Sequence, residues 1–195
     1  MGRLVPLLAL VSVLLGGSPV LAKARPAPGR GSAVARSVGS PTNGRLEGGT
    51  ELVGRDGLKL KLPTSARWGL PQLVLLLERG ARRVRGRHPG SVLLIGDLSR
   101  RGGGDLVAHR SHESGRDADV GFYFVDPRGT PVEISRFRAV DAKGRAVGER
   151  KLRFDLARNW TLIQTWLTDP QVRVQHSPQQ TIDDFASERS TGGDF

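Results

Sequence analysis

The 195-residue sequence contains no cysteine. Disulfide bonds and thiolate metal ligands are therefore excluded, and any metal ion would have to be held by His, Asp, Glu or water. Aromatic residues make up only 5% of the chain, and they are rarely interleaved with basic residues in the way that stacks nucleic-acid bases. The apolar run from Leu4 to Leu15 is shorter than the roughly twenty residues that span a bilayer.

Acidic residues are also in the minority. The chain has 30 Lys and Arg against 19 Asp and Glu, which gives a net charge of +11. This charge favours anionic partners such as nucleic acid, acidic lipid surfaces or an anionic cell-wall polymer, and charge alone does not choose among them. The three glycines Gly102–Gly104 are not followed by the Lys-Ser or Lys-Thr of a nucleotide-binding loop. The Gly-x-Ser-x-Gly turn of serine hydrolases is absent as well.

The first 42 residues predict an exported protein. Residues 1–22 combine a basic start, a short apolar run and a small residue at the end, which is the pattern of a secretory signal peptide, and an uncleaved anchor is the alternative. Residues 23–42 are rich in Ala, Pro, Gly, Ser and Arg and predict a disordered linker. We therefore expect a periplasmic or secreted protein whose folded domain covers residues 43–175.

Two amphipathic helices are predicted in the domain. The first begins near Pro71 and ends at His88, with apolar residues at three- and four-residue spacing on one side and arginines mostly on the other. The second follows Asp155 and ends near Leu167. Its spacing predicts a buried stripe made of Leu156, Trp160, Ile163 and Leu167.

The chemistry is concentrated between His109 and Val125. Within eleven residues the chain places His109, His112, Asp117 and Asp119 around Gly115. Imidazole and carboxylate are the nitrogen and oxygen donors that zinc binds at about 2.0 to 2.2 Å. From residue 117 onward, a period of two would place Asp117, Asp119, Gly121 and Tyr123 on a cleft face and Ala118, Val120, Phe122 and Phe124 on a core face. The spacing alone leaves open a loop in which the histidines merely hydrogen-bond the carboxylates.

The segment 111–122, SHESGRDADVGF, resembles the His-x(6)-Asp signature of the penicillin-insensitive murein endopeptidases, which are zinc peptidases related to the lysostaphin and D-Ala-D-Ala carboxypeptidase group. The similarity includes upstream stretches at 43–46, 67–69 and 96–99. Downstream it includes RFDLARNW at 153–160. It covers roughly residues 41–175.

This resemblance implies an α+β fold with a small antiparallel sheet flanked by helices. It implies zinc bound by His112 and Asp119, with His109 as a further candidate ligand at the same site. Asp117 would orient an imidazole through its free N–H. The implied activity is cleavage of D-alanyl to diaminopimelyl cross-links in peptidoglycan, with cross-linked peptides as partners and no nucleic acid.

One feature of the family is missing from the sequence. The His-x-His motif that carries the remaining ligand and assists proton transfer is not found, so no catalytic histidine is assigned. Residues 176–195 are polar and atypical, and we expect a disordered tail, incomplete C-terminal strands and impaired activity. A truncation or frame change near His176 would explain this, and an intact neighbouring gene at that point would exclude it. The alternative function is a secreted basic module that binds cell-wall or other anionic polymer without catalysis.

Overall fold

The computed structural model describes residues 34–55, 57–61, 65–106, 109 and 111–170. Two helices and small sheets of short strands occupy these ranges, so the predicted α+β class is confirmed. None of the helices found there is long and apolar enough to cross a membrane. The elements in chain order are β1 (Arg36–Ser40), β2 (Asn43–Glu47), β3 (Thr50–Glu51), β4 (Leu58–Leu60), β5 (Trp68–Gly69), α1 (Pro71–Arg87), β6 (Leu93–Ile95), β7 (Phe124–Val125), β8 (Pro131–Val132), β9 (Arg145–Ala146), β10 (Glu149–Phe154) and α2 (Leu156–Leu167).

Most strand pairs are antiparallel, as predicted. The largest sheet has the order β8-β7-β10-β9, while β1 pairs with β2 and β3 pairs with β5. The exception is β4, which pairs in parallel with β6 in the register Leu58 to Leu93. Parallel neighbours need a long crossover connection, and here α1 lies within that connection. This pair positions the carboxyl end of β6 beside the segment that carries the predicted metal ligands.

The helix α1 forms where the sequence predicts it. Pro71 occupies the first turn, where its missing N–H costs no hydrogen bond. One side of the helix is buried and supplies much of the larger apolar core, which also contains Leu52, Leu58 and Ile95. The exposed side carries the arginines. The buried apolar residues of α1 are Leu73, Val74, Leu76, Leu77, Ala81 and Val84.

The bounds of α2 agree with the prediction, but its predicted buried stripe is wrong. Leu156 is 72% exposed and Trp160 is 56% exposed, whereas Leu162 and Trp166 pack into the core. Two polar interactions explain this orientation. The Trp166 indole Nε1 donates to the Leu76 carbonyl at 3.2 Å, and the buried Asn159 bonds the main chain of Tyr123. Burying polar groups requires such partners, so they help select which side of the helix faces inward.

The segment 118–124 lies between two apolar cores. Ala118 and Tyr123 belong to the larger core, and Phe124 belongs to a second one that contains Ile134 and Leu152. The prediction that Tyr123 faces a cleft is therefore wrong, because this side chain is only 5% exposed. Regular strand geometry begins only at β7, so the simple alternation assumed from the sequence does not hold upstream of it.

The N-terminal boundary of the domain also differs from the prediction. Arg36–Ser40 forms β1 and pairs with β2, so this part of the predicted linker is a strand. The hairpin is linked to the segment 109–119, which carries the predicted metal ligands, by an Arg116 side chain that donates to the Ser37 carbonyl at 3.3 Å. The rest of the predicted linker up to residue 33 lies outside the described residues, as do the predicted signal peptide 1–22, His176 and the predicted tail 176–195.

We expect Asn159→Ala to destabilise the domain by about 1 to 3 kcal/mol, because it leaves the buried Tyr123 N–H without its acceptor. Urea unfolding followed by circular dichroism measures the change. Gln164→Ala is the matched control, since Gln164 is exposed on the same helix, and it should change the free energy of unfolding by less than about 0.5 kcal/mol. Equal effects of the two substitutions would contradict the role assigned to Asn159.

Candidate metal centre

Main-chain hydrogen bonds bring two distant segments together at the site. The Gly121 N–H donates to the Leu94 carbonyl at 2.8 Å, and the Gly96 N–H donates to the Asp119 carbonyl at 2.9 Å. The Asp119 N–H in turn donates to the Asp97 carbonyl at 3.0 Å. The residues that follow β6 therefore run antiparallel to the residues that precede β7. As a result, the Asp97 and Asp119 side chains lie at the same edge.

His112 adopts a conformation that is unusual for a residue with a side chain. Its φ angle is 74°, which makes it the one non-glycine residue with positive φ among those described. Such a conformation costs roughly 1 to 2 kcal/mol. The Asp117 carboxylate offsets this cost, because its Oδ2 accepts the His112 backbone N–H at 3.0 Å. Strained backbone of this kind is concentrated at functional sites.

The two ring nitrogens of His112 face different carboxylates. Nε2 lies 3.2 Å from Asp119 Oδ1, and Nδ1 lies 3.2 Å from Asp117 Oδ2. The Nδ1 contact is a close ionic contact without hydrogen-bond geometry. The ring is 2% exposed, so both carboxylates act on it with little competition from water. Asp117 thus hydrogen-bonds the backbone of His112 and lies close to its ring. The predicted hydrogen bond from the ring N–H to Asp117 is not formed in this structure.

Three of the predicted donor residues lie close together. One ligand atom each from His109, His112 and Asp119 can be chosen so that all lie within 4.8 Å of one another. The two imidazole rings stand edge to face, with centroids 5.1 Å apart and planes at 82°. His109 and Asp119 are half-buried, so the cluster opens to solvent on one side. The fourth predicted residue, Asp117, lies behind His112.

The donor set fits a zinc ion. Tetrahedral zinc with bonds of about 2.0 to 2.2 Å holds its ligand atoms about 3.3 to 3.5 Å apart. His112 Nε2 and Asp119 Oδ1 lie 3.2 Å apart, which is close to this separation. Two histidines and one carboxylate could therefore hold the ion, with small side-chain movements. Three protein ligands would leave the fourth position for water or substrate, which is the pattern of catalytic sites.

Asp97 is a residue of this site that the sequence did not predict. Its Oδ2 lies 3.3 Å from His109 Nε2, and its carbonyl accepts the Asp119 N–H. A carboxylate on a ligand histidine fixes the ring orientation. The position of Asp97 directly after the buried strand β6 could have indicated a functional residue. The sequence does not show which distant segment Asp97 contacts.

Burial and the surrounding charges shift the pKa of His112 in opposite directions. Burial disfavours the imidazolium and lowers the pKa of His112. The hydrogen bond to Asp119 and the charges of Asp117, Asp119 and Asp97 raise the pKa, and their combined effect exceeds that of burial. The pKa of His112 is therefore above its ordinary value. The site concentrates negative charge in a protein with a net positive charge, which favours a cation at this position.

The turn that carries His112 is fixed at its glycine. The Gly115 N–H donates to Ser99 Oγ at 2.7 Å, and the Gly115 carbonyl accepts the Leu70 N–H at 2.9 Å. Gly115 has a φ of 72°, and a Cβ there would lie 2.7 Å from a methyl carbon of Leu46. Both the backbone conformation and the available space therefore require glycine.

Glu113 connects the same turn to the β1–β2 hairpin. Its side-chain Oε2 accepts the Gly44 N–H at 3.0 Å, and its backbone N–H donates to the Pro41 carbonyl at 3.1 Å. The Glu113 carbonyl accepts the Gly104 N–H at 3.0 Å. The hairpin thus supports the metal-site turn from outside, although none of its side chains is a metal donor.

We expect Gly115→Ala to cost about 2 to 4 kcal/mol, because it combines backbone strain with a clash against Leu46. Gly129→Ala is the matched control. Gly129 has a similar φ of 81° and no atom within 4 Å of an added Cβ, so only the strain of about 1 to 2 kcal/mol applies. Thermal and urea unfolding of both variants measure the difference, and equal losses would show that the close packing on Leu46 is unimportant.

Comparison with known proteins identifies the family. The sequence model described as "Penicillin-insensitive murein endopeptidase" matches residues 37–176. Curated proteins with that name from Escherichia coli O1:K1, strain SMS-3-5 and strain S88 are each 32% identical to this chain over 146 residues. The match covers 72% of this chain and 52% of each relative. The chain therefore spans about half the length of the curated relatives it matches.

The matched residues 37–176 include the donor cluster and the main-chain contacts that form it. They also include residues 37–40 of β1, which lies in the stretch predicted from composition as linker. By the extent of this match and by its identity to the curated relatives, the chain belongs to the penicillin-insensitive murein endopeptidase family.

Proposed function

We propose that this chain is a zinc-dependent murein peptidase whose metal ligands are His109, His112 and Asp119. The observation that carries the proposal is the convergence of these three donors in a protein of this family. The proposed substrate is the peptide cross-link of peptidoglycan, with the bond between D-alanine and diaminopimelate as the cleaved bond. Such a substrate requires a periplasmic or secreted location.

The residues of the site have distinct proposed roles. A bound zinc ion would polarise the scissile carbonyl and lower the pKa of its water ligand. His112 and Asp119 supply the two donors that are close to ligand separation, and the half-buried His109 completes the set on the open side. Asp117 fixes the backbone and ring of His112, and Asp97 orients the ring of His109. The alternative of a binding module without catalysis does not account for this arrangement.

We expect His112→Ala to abolish stoichiometric zinc binding, because it removes the most buried donor. Asp117→Asn should keep the stoichiometry but weaken zinc affinity by about 10- to 100-fold, because it acts only through His112. His88→Ala is the control. His88 lies at the end of α1 against Thr161 and outside the donor cluster, so its removal should leave zinc affinity unchanged. Isothermal titration with zinc measures all three.

Stoichiometric, equally tight zinc binding by His112→Ala would contradict the ligand assignment. The hydrolytic part of the proposal needs a separate test. Purified cross-linked muropeptides are incubated with the zinc-loaded chain, alone and with the C-terminal half of a relative appended, and loss of the dimer is followed by chromatography. Cleavage in either form supports the proposal. Zinc binding with no cleavage in either form would contradict it.

A further inference from the structure

A second polar surface lies away from the metal centre, in the groove between α1 and α2. The helices run antiparallel there, since Arg79 of α1 pairs with Asp169 at 2.5 Å and His88 Nε2 lies 3.1 Å from Thr161 Oγ1. The groove has a volume of about 600 Å³ and is lined on the α1 side by Arg79, Arg83 and Arg87. Leu70, at the start of α1, contacts the metal-site turn. Arg83 is thirteen residues further on, about 20 Å along the helix axis.

Two of these arginines have no counter-charge among the described residues. Within the described part of the chain, no carboxylate pairs with Arg83 or Arg87, and only Arg79 is paired, with Asp169. The three residues are spaced four apart, so their positions are about 6 Å apart along α1 and span about 12 Å. The groove thus presents a row of guanidinium groups, of which Arg83 and Arg87 carry charge that no carboxylate within the described residues offsets. A row of this kind matches a ligand with repeated negative groups better than it matches a single ion.

The close spacing of arginines along α1 has an energetic cost. Like charges four residues apart on a helix are destabilising by a few tenths of a kcal/mol per pair. The neighbouring Arg82 avoids this cost by pairing with Glu78 in the preceding turn. On the groove face, Arg83 and Arg87 form such a like-charge pair, whereas the charge of Arg79 is offset by Asp169. A bound polyanion would remove the repulsion.

The opposite wall contributes few hydrogen-bond donors. Thr161, Thr165 and Thr168 direct their hydroxyl protons to carbonyl oxygens of α2 at 2.9, 2.6 and 2.9 Å. The donors available to a ligand are therefore the guanidinium groups and the exposed Gln164 amide. Guanidinium forks form paired hydrogen bonds to the oxygens of phosphate and carboxylate groups. The tetrahedral phosphodiester directs its two free oxygens away from the chain axis, so a polymer of such groups can meet successive arginines on one side.

We propose that the α1–α2 groove is a binding site for a linear phosphodiester polymer, with Arg83 and Arg87 as its main contacts. The site is separate from the metal centre and does not depend on the function proposed for it. It would hold the protein on an anionic polymer while leaving the metal centre open to substrate.

The probe is a fluorescently labelled poly(glycerol phosphate), titrated with the full chain at several salt concentrations and followed by anisotropy. The test variant is Arg83→Gln with Arg87→Gln. Each lost phosphate contact reduces the salt slope by about one, so we expect the slope to fall by about two and the affinity to fall at least about tenfold. The control is Arg128→Gln with Arg136→Gln. It removes the same charge from exposed positions for which no ion pair is found in the described residues, and it should change the affinity less than about twofold.

Three results would overturn the proposal: no binding by the unmodified chain, equal weakening by the two double variants, or equally tight binding of poly-L-glutamate of similar length. Equal weakening would mean that net charge alone attracts the polymer. Equal binding of polyglutamate would mean that the groove does not select phosphodiesters. Melting temperatures of both double variants are measured in parallel. We expect no loss of stability, because neither Arg83 nor Arg87 makes a stabilising ion pair within the described residues and their removal relieves a like-charge pair. Zinc affinity should also stay the same.

Discussion

The short antiparallel contact between residues 94–97 and 119–121 is the interaction on which the site depends. Three main-chain hydrogen bonds join these stretches, and they place Asp119 beside Asp97 and opposite His112. Only residues 94–95, at the end of β6, belong to a regular strand. The contact therefore relies on support from both sides. The parallel β4–β6 pair supports the first stretch, and the two apolar cores enclose the second.

The turn before Asp119 is also fixed by contacts with other parts of the chain. Its glycine contacts Ser99 and the start of α1, and Glu113 contacts the β1–β2 hairpin. These partners come from three separate parts of the chain, so tertiary contacts fix the turn that contains His112, and the local hydrogen bond to Asp117 holds the His112 backbone itself. A preorganised metal site needs such support, because ligands that move freely lose much of their affinity to ordering. The hairpin is the outermost part of this support, although its composition had predicted a linker.

Charge is distributed unevenly over the molecule. The metal centre gathers Asp97, Asp117 and Asp119, whereas the outer side of α1 carries arginines, and two of these, Arg83 and Arg87, have no ion-pair partner within the described residues. The net charge of +11 therefore describes neither region. The acidic centre is suited to a cation and the basic groove to an anion. Their separation along α1 allows both to act at once.

The sequence by itself was enough to predict the candidate donor residues, the two helices and the family, because each depends on residues close together along the chain. His109, His112, Asp117 and Asp119 lie within eleven residues, and helical spacing is a local property. Tertiary structure decided which distant groups meet these residues. Asp97 lies against His109 because its segment pairs with a segment more than twenty residues further along the chain. Asn159 and Trp166 determine which side of α2 is buried. Local pattern could not choose between the two apolar stripes of α2, because the choice depends on hydrogen-bond partners that only folding brings within reach.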